Sequence, residues 1–251
     1  MKKIILSVLS VFIVLTITRA VYAMPAGETQ SPADNEGVSV TAVLSAVNKQ
    51  PHPTFTTDIN NLDTVWIFFD DGSFKQFVNM DDQILMFSCG TCSGESDNTI
   101  IINRTRKYME GAGVRDYSSV HKYILNTDEY TELLNPADKD VKASAVFAGI
   151  AVQPYADGSG SEVLLDTCWI FYSDGSFEQF VISDNTILPF SSGTYYLREE
   201  ESVHAYPAEV LTQDCSIVIN YDNSQDSEYI FETQDYQALF IAKTLFQAAR
   251  A

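Results

Sequence analysis

Positive charge is scarce in this chain. It has 15 lysines and arginines against 34 aspartates and glutamates, and its formal net charge is −19. Such a polyanion repels nucleic acid and anionic lipid headgroups, so we expect neither as a partner. Histidine is scarcer still: the only three are His52, His121 and His204, and no two have the i, i+4 spacing of a helical metal motif. The sequence therefore predicts no metal site and no cofactor.

Long apolar runs are missing beyond the first residues. The one run, residues 4–17, follows Lys2 and Lys3 and precedes Val21-Tyr22-Ala23. This pattern is typical of a secretory signal peptide over residues 1–23, of a bacterial kind. An uncleaved anchor is the alternative, but a membrane-spanning helix needs about 20 apolar residues. We therefore expect a secreted protein without a transmembrane segment after cleavage, beginning with a disordered leader over residues 24–37.

Cysteine is limited to four residues. An exported chain can pair Cys89, Cys92, Cys168 and Cys215 into disulfides in three ways. Cys89 and Cys92 form a C-x-x-C motif, which supports redox catalysis when its first cysteine begins a helix. Here the motif falls on a predicted strand bend. We therefore expect a local disulfide or two unrelated thiols rather than a redox centre.

What the chain does contain is an internal repeat. Residues 62–78 return as residues 165–181, with thirteen of seventeen positions identical at a constant offset of 103. The match predicts a first repeat over residues 38–134, a linker over 135–140, and a second repeat over 141–251 that ends in a C-terminal helix. The cysteines do not recur between the repeats, so a shared disulfide framework is not expected.

Each repeat has the pattern of an antiparallel β-meander. Apolar aromatic segments at residues 65–69 and 168–172 are typical of strands buried on both faces. Asp71-Gly72 and Asp174-Gly175 then predict tight hairpin turns. Thr127 and Thr233, each followed by acidic residues, predict the start of a helix. The fold class is thus all-β, a tandem duplication of a barrel-like unit of roughly 100 residues, as two domains or as one closed barrel.

The order of these segments resembles small lipocalin-like β-barrel domains of secreted bacterial proteins. The shared features are an aromatic strand, an Asp-Gly hairpin, a second aromatic strand, a Gly-Thr bend and an Ile-Val-Ile strand, over residues 62–103 and 165–220. The Gly-x-Trp opening of lipocalins is missing, because Trp66 and Trp169 follow Thr-Val and Thr-Cys. The resemblance implies binding of a small apolar ligand or a protein partner rather than catalysis.

The repeats differ most in one basic segment of repeat 1. Five of the lysines and arginines lie within nineteen residues, interleaved with tyrosines. We interpret the segment as a binding loop for an anionic ligand or for the acidic segments of repeat 2, in the same or a neighbouring molecule, so self-association is a further expectation. The predicted binding residues are Arg104, Arg106, Lys107, Tyr108, Arg115, Tyr117, His121 and Lys122.

The remaining features favour scaffold over chemistry. Asp71 and Asp174 recur in the two repeats, as do Asp63 and Asp166, which indicates a structural role. The aromatic residues of the repeated strands predict two hydrophobic cores rather than a sugar-stacking platform. Three classes of function follow: a secreted non-catalytic binding protein, a secreted hydrolase with carboxylates in a cleft between the repeats, and an acidic surface-interaction protein. The sequence favours the first.

Overall fold

The computed structural model describes residues 38–49, 63–80, 82–96, 98–109, 112–117, 123–134, 141–152, 164–197, 216–221 and 228–242. Every regular element in these ranges is a β-strand, apart from two 3-10 turns at Thr127–Glu129 and Thr233–Asp235. The all-β prediction is confirmed. The predicted signal peptide, leader and linker lie outside the described residues, and no helix within these ranges is long and apolar enough to cross a membrane.

The strands form two antiparallel sheets. The first contains β1 (Val40–Ala46), β2 (Thr64–Phe69), β3 (Ser73–Met80), β4 (Gln83–Ser96), β5 (Thr99–Met109), β6 (Gly113–Asp116), β7 (Tyr123–Asn126) and β8 (Thr131–Leu134). The second contains β9 (Ala143–Val152), β10 (Leu165–Tyr172), β11 (Ser176–Ser183), β12 (Thr186–Leu197), β13 (Ser216–Tyr221), β14 (Glu228–Glu232) and β15 (Gln237–Ile241).

The two sheets have the same strand order. The first runs β6-β5-β4-β3-β2-β1-β8, with β7 also paired to β5, and the second runs β14-β13-β12-β11-β10-β9-β15. The repeated sequence lies on β2–β3 in one sheet and on β10–β11 in the other. Among the described residues each strand pairs only within its own sheet, so the two repeats do not share the wall of one barrel.

The repeated hairpins have the predicted turn chemistry. Gly72 and Gly175 have φ values of 79° and 84°, which glycine adopts without steric cost. The Asp71 Oδ1 atom accepts a hydrogen bond from the Ser73 amide at 2.8 Å, and Asp174 does the same for Ser176 at 2.9 Å. These carboxylates therefore stabilise the turns, as their recurrence predicts.

The predicted helices after Thr127 and Thr233 are wrong. Each threonine begins a single 3-10 turn, and the chain returns to an extended conformation at Tyr130 and Tyr236. The following residues form β8, paired with β1, and β15, paired with β9. Leu239 and Phe240 of β15 are buried in this paired arrangement. Residues 243–251, the rest of the predicted C-terminal helix, lie outside the described residues.

Each sheet carries buried side chains on both of its faces. One face of the first sheet, which we call the inner face, carries Trp66, Phe68 and Phe74 around a core of its own. The opposite face, which we call the contact face, carries Ile67 and Phe69 and packs against the second sheet in a shared core. Successive side chains of β2 point alternately to the inner face and to the contact face. Because both faces are packed at this strand, β2 has an unbroken apolar sequence.

The inner cores of the two sheets have matching geometry. Ring centroids of Trp66 and Phe74 are 5.5 Å apart, and those of Trp169 and Phe177 are also 5.5 Å apart. All four side chains are at most 1% exposed. The prediction of two aromatic cores, rather than a stacking platform, is confirmed.

Candidate functional site

The predicted basic loop of repeat 1 is, over its described part, a pair of strands. Residues 104–109 belong to β5 and residues 113–116 to β6, so the loop prediction is wrong there. A bulge lies where β4 meets β5: Gly90 pairs with Arg104, Cys89 with Arg106, and Ser88 with Lys107. Strand alternation and this bulge send Arg104 and Lys107 to the inner face and Arg106 to the contact face.

Arg104 is buried inside the first sheet, only 4% exposed. Its Nε atom donates to Ser88 Oγ at 3.1 Å and its Nη2 atom to Gln76 Oε1 at 3.4 Å. The guanidinium carbon lies 5.7 Å from the Trp66 ring centroid and 5.0 Å from that of Tyr123. A polar edge and two aromatic faces therefore surround the charge.

The close approach of β5 to β4 requires glycine. A Cβ atom at Gly90 would lie 2.0 Å from the Asn103 carbonyl oxygen and 3.0 Å from the Arg104 Cα atom. Gly193 has the same role in the second sheet, where a Cβ would lie 2.0 Å from the Asn220 carbonyl oxygen. The strand bend predicted from these glycines thus brings the Arg104 backbone against β4.

Two positive charges share the inner face. Burial lowers the pKa of Arg104 to about 10, although the nearby Tyr123, Tyr117 and Tyr130 favour its charged form. Burial also lowers the pKa of Lys107, and the charge of Arg104 lowers it further. The Lys107 Nζ atom lies 5.3 Å from the Phe87 ring centroid. A nearby anion would favour the charged forms of both groups and so oppose the lowering of their pKa values.

Within the residues that the structure describes, the second sheet has the polar part of this arrangement without the cation. Gln179 and Ser191 are joined by a hydrogen bond of 2.6 Å, as Gln76 and Ser88 are at 2.7 Å. Both glutamines are fully buried. The position that pairs with Gly193, as Arg104 pairs with Gly90, is Tyr221. The strand order and the glutamine–serine pair therefore form with a tyrosine, and not an arginine, at this position.

The structure brings together only part of the predicted binding set. Tyr117 lies beside Lys107, with its ring centroid 5.8 Å from Nζ. Arg106 lies on the contact face, where its Nε atom is 3.8 Å from Asp116 Oδ1. Arg115 is exposed on β6, and Tyr108 is half-buried on β5. His121 and Lys122 lie outside the described residues.

Sequence reasoning missed the polar members of the site. Gln76 and Ser88 interrupt apolar strands and recur in the second repeat as Gln179 and Ser191. A polar residue that recurs at a buried position signals an internal hydrogen bond, and this signal could have identified the pair.

The described cysteines, Cys89, Cys92 and Cys168, are free thiols, and Cys215 lies outside the described residues. Cys89 lies opposite Lys75 on the contact face, whereas Cys92 packs against the inner core. The C-x-x-C motif therefore does not form a local disulfide, because its thiols point to opposite faces. Cys168 is buried in the shared core, and burial raises the pKa of its thiol to about 12.

The junction between the sheets is apolar. A cavity of about 50 Å³ lies there, lined by matching residues such as Phe77 and Phe180. At its edge the Asp63 and Asp166 carboxylates each accept a backbone amide at 2.8 Å, from Asn48 and Ala151. Both donor residues have positive φ values, so the two aspartates stabilise the same left-handed backbone conformation at equivalent positions. Within the described ranges, no three His, Cys, Asp or Glu side chains are grouped to hold a metal ion.

Comparison with known proteins produced no relative: no family model, no curated protein and no solved structure matches this chain.

Proposed function

We propose that this chain is a secreted, non-catalytic binding protein that holds an anionic ligand on the inner face of its first sheet. Arg104 is the central group, and Lys107 and Tyr117 lie beside it. The observation that carries the proposal is the comparison between the sheets. The same strand order and the same glutamine–serine pair occur twice, but the buried cation occurs at this position only in the first sheet.

Burying a cation is costly for stability. Moving a guanidinium out of water carries a penalty of several kcal/mol, which neighbouring groups offset to differing degrees. Lys107 adds to that penalty, because a second positive charge lies on the same face. A group that costs stability and is not needed for the strand order is best explained by an interaction with a ligand.

The alternative of a hydrolase has less support. A glycosidase needs two carboxyl groups about 5 to 10 Å apart across an open cleft. Between the sheets the packing is apolar, and Asp63 and Asp166 at its edge accept backbone hydrogen bonds. The acidic surface-interaction class rests on net charge alone. The lipocalin-like resemblance stays a prediction.

The test is thermal unfolding of the mature protein with small anions at constant ionic strength. Phosphate, acetate, benzoate and laurate are the probes, and benzyl alcohol and dodecanol are neutral counterparts. A ligand at 100 times its Kd stabilises the folded state by about 2.7 kcal/mol. We expect at least one anion, and neither neutral compound, to raise the Tm.

The matched variants are Arg104→Met and Arg115→Met. Arg104→Met should abolish the anion-dependent shift while the ligand-free protein stays at least as stable as wild type, because Ser88 Oγ still donates to Gln76 Oε1. Arg115 is exposed on β6, so its variant should keep the shift. If no anion raises the Tm of the wild type, and Arg104→Met is less stable than the wild type, Arg104 has only a structural role.

A further inference from the structure

A second cluster lies on the contact face of the first sheet. Lys75 on β3 pairs with Cys89 on β4, and Cys89 pairs with Arg106 on β5. Paired residues on neighbouring strands project to the same side, so the thiol lies between an ammonium and a guanidinium. Cys89 and Lys75 are both half-buried, and the row is accessible to small solutes.

This row borders an open groove of about 250 Å³. Its lining comes from the first sheet and the adjoining residues, including Phe69, Asp71, Ser73, Lys75, Cys89 and Thr91. Sites for drug-sized ligands usually have volumes of roughly 300–1,000 Å³. The groove therefore suits a smaller group, of the size of one half of a low-molecular-weight disulfide.

The second sheet has different groups at the positions equivalent to Phe69, Lys75 and Cys89. Tyr172, Glu178 and Ser192 stand where the first sheet has Phe69, Lys75 and Cys89. The Tyr172 hydroxyl donates to Glu178 Oε2 at 2.6 Å. In the first sheet, the Lys75 Nζ atom instead lies 5.9 Å from the Phe69 ring centroid. The sheet forms with an acid and a hydroxyl, so the cation and the thiol are not structural requirements.

The two thiols of the C-x-x-C motif have opposite electrostatic surroundings. Arg106 and Lys75 favour the thiolate of Cys89, although burial is the larger effect and raises its pKa. Burial also raises the pKa of Cys92, and the charge of Asp71 raises it further. The nearest charges therefore favour an anion at Cys89, beside Lys75 and Arg106, more than at Cys92, beside Asp71.

We propose that Cys89 is a thiol modification site that forms a mixed disulfide with small disulfides bearing carboxylates. The Cys89 thiolate attacks one sulfur of R–S–S–R, the S–S bond of the reagent breaks, and the Cys89–S–S–R bond forms. The leaving RS⁻ carries the electron pair and takes up the proton released from Cys89. The disulfide itself is the oxidant. Lys75 binds a carboxylate at the groove, Arg106, which also lies 3.8 Å from Asp116, adds positive charge beside Cys89, and the groove holds the attached group.

The test compares reagents of different charge on the reduced, folded chain. The probes are 5,5′-dithiobis(2-nitrobenzoate), which is a dianion, and 2,2′-dithiodipyridine, which is neutral. Cys89 is followed in the Cys92→Ser variant and Cys92 in the Cys89→Ser variant, with peptide mass mapping to separate both from Cys168 and Cys215. The measured quantity is the ratio of the dianion rate to the neutral rate at each thiol.

We expect this ratio to be about tenfold or more higher at Cys89 than at Cys92, since local potentials change encounter rates by such factors. The substitution Lys75→Glu introduces the residue that the second sheet has at the equivalent position. Added to the Cys92→Ser variant, it should lower the ratio of the dianion rate to the neutral rate at Cys89 by a similar factor. Raising the salt from about 0.02 to about 0.5 M should lower the ratio in the chain with native Lys75. Equal ratios at the two thiols, a ratio insensitive to Lys75→Glu or to salt, or an unreactive Cys89 would overturn the proposal.

Discussion

The two sheets have the same residues at key positions of their cores and strand contacts. They have different residues at several positions that carry a charge or a thiol. Trp66 and Trp169 have the same ring geometry, and Gly90 and Gly193 make the same close contact with the neighbouring strand. Three of the differences lie on β3, β4 and β5, where Lys75, Cys89 and Arg104 stand in place of Glu178, Ser192 and Tyr221. Residues that recur form the scaffold, and residues that differ are free to serve a function.

The largest expected effect comes from removing the equivalent tryptophans. Trp66→Ala and Trp169→Ala should each lower the free energy of unfolding by about 3–5 kcal/mol, because both side chains are fully buried. Urea unfolding followed by circular dichroism measures it. A loss confined to one variant would show that the sheets do not have equivalent cores.

The next largest loss of stability should come from adding one methyl group at the strand bend. Gly90→Ala and Gly193→Ala each place a Cβ 2.0 Å from a carbonyl oxygen and should cost about 1–3 kcal/mol. A Cβ atom at Gly94, on the same strand β4, would meet no other atom within 4 Å, so Gly94→Ala is the matched control. Equal stability of Gly90→Ala and Gly94→Ala in urea would contradict the close approach of β5.

A smaller expected effect is on how stability depends on pH, and it comes from a position at which the two sheets have different residues. Val65 in the first sheet corresponds to Cys168, whose folded-state pKa is raised to about 12 from an ordinary value of 9. Above pH 9 the unfolded thiol releases its proton while the folded one keeps it, so stability falls as pH rises. At pH 10 this loss amounts to about 1.4 kcal/mol.

The variant Cys168→Val introduces the residue of the first sheet and should remove that loss. Unfolding free energies at pH 7 and pH 10, under reducing conditions, give the comparison. The variant should lose less stability than wild type between the two pH values, and an identical loss would show that Cys168 is not the buried acid involved.

Local patterns in the sequence predicted several parts of the scaffold, because the residues that specify those parts are close together in the chain. The Asp-Gly turns, the aromatic strands and the glycine bend each depend on neighbouring residues. The helices after Thr127 and Thr233 failed because pairing with β1 and β9 outweighed a capping pattern. Apolar spacing in such short segments fits a helix and a strand alike.

The candidate site could be predicted only in part. Basic residues were visible as a cluster, but their division between two faces depends on the bulge at Cys89 and Gly90, which is a property of the β4–β5 register. Arg104 and Lys107 therefore separated from Arg106. The partners Gln76 and Ser88 come from β3 and β4, and no sequence spacing indicates that they meet Arg104.

The most direct test of the central claim uses the two tryptophans as reporters. The chain has two, one in each sheet, and Arg104 lies 5.7 Å from the ring of Trp66. Indole resonances of the ¹⁵N-labelled protein, assigned with Trp66→Phe, can be followed during titration with the same four anions. We predict that an anion shifts the Trp66 resonance and leaves that of Trp169 in place. Two kinds of result would contradict an anion site on the inner face of the first sheet. One is a shift of the Trp169 resonance, alone or together with that of Trp66, and the other is no shift of either resonance with any of the four anions.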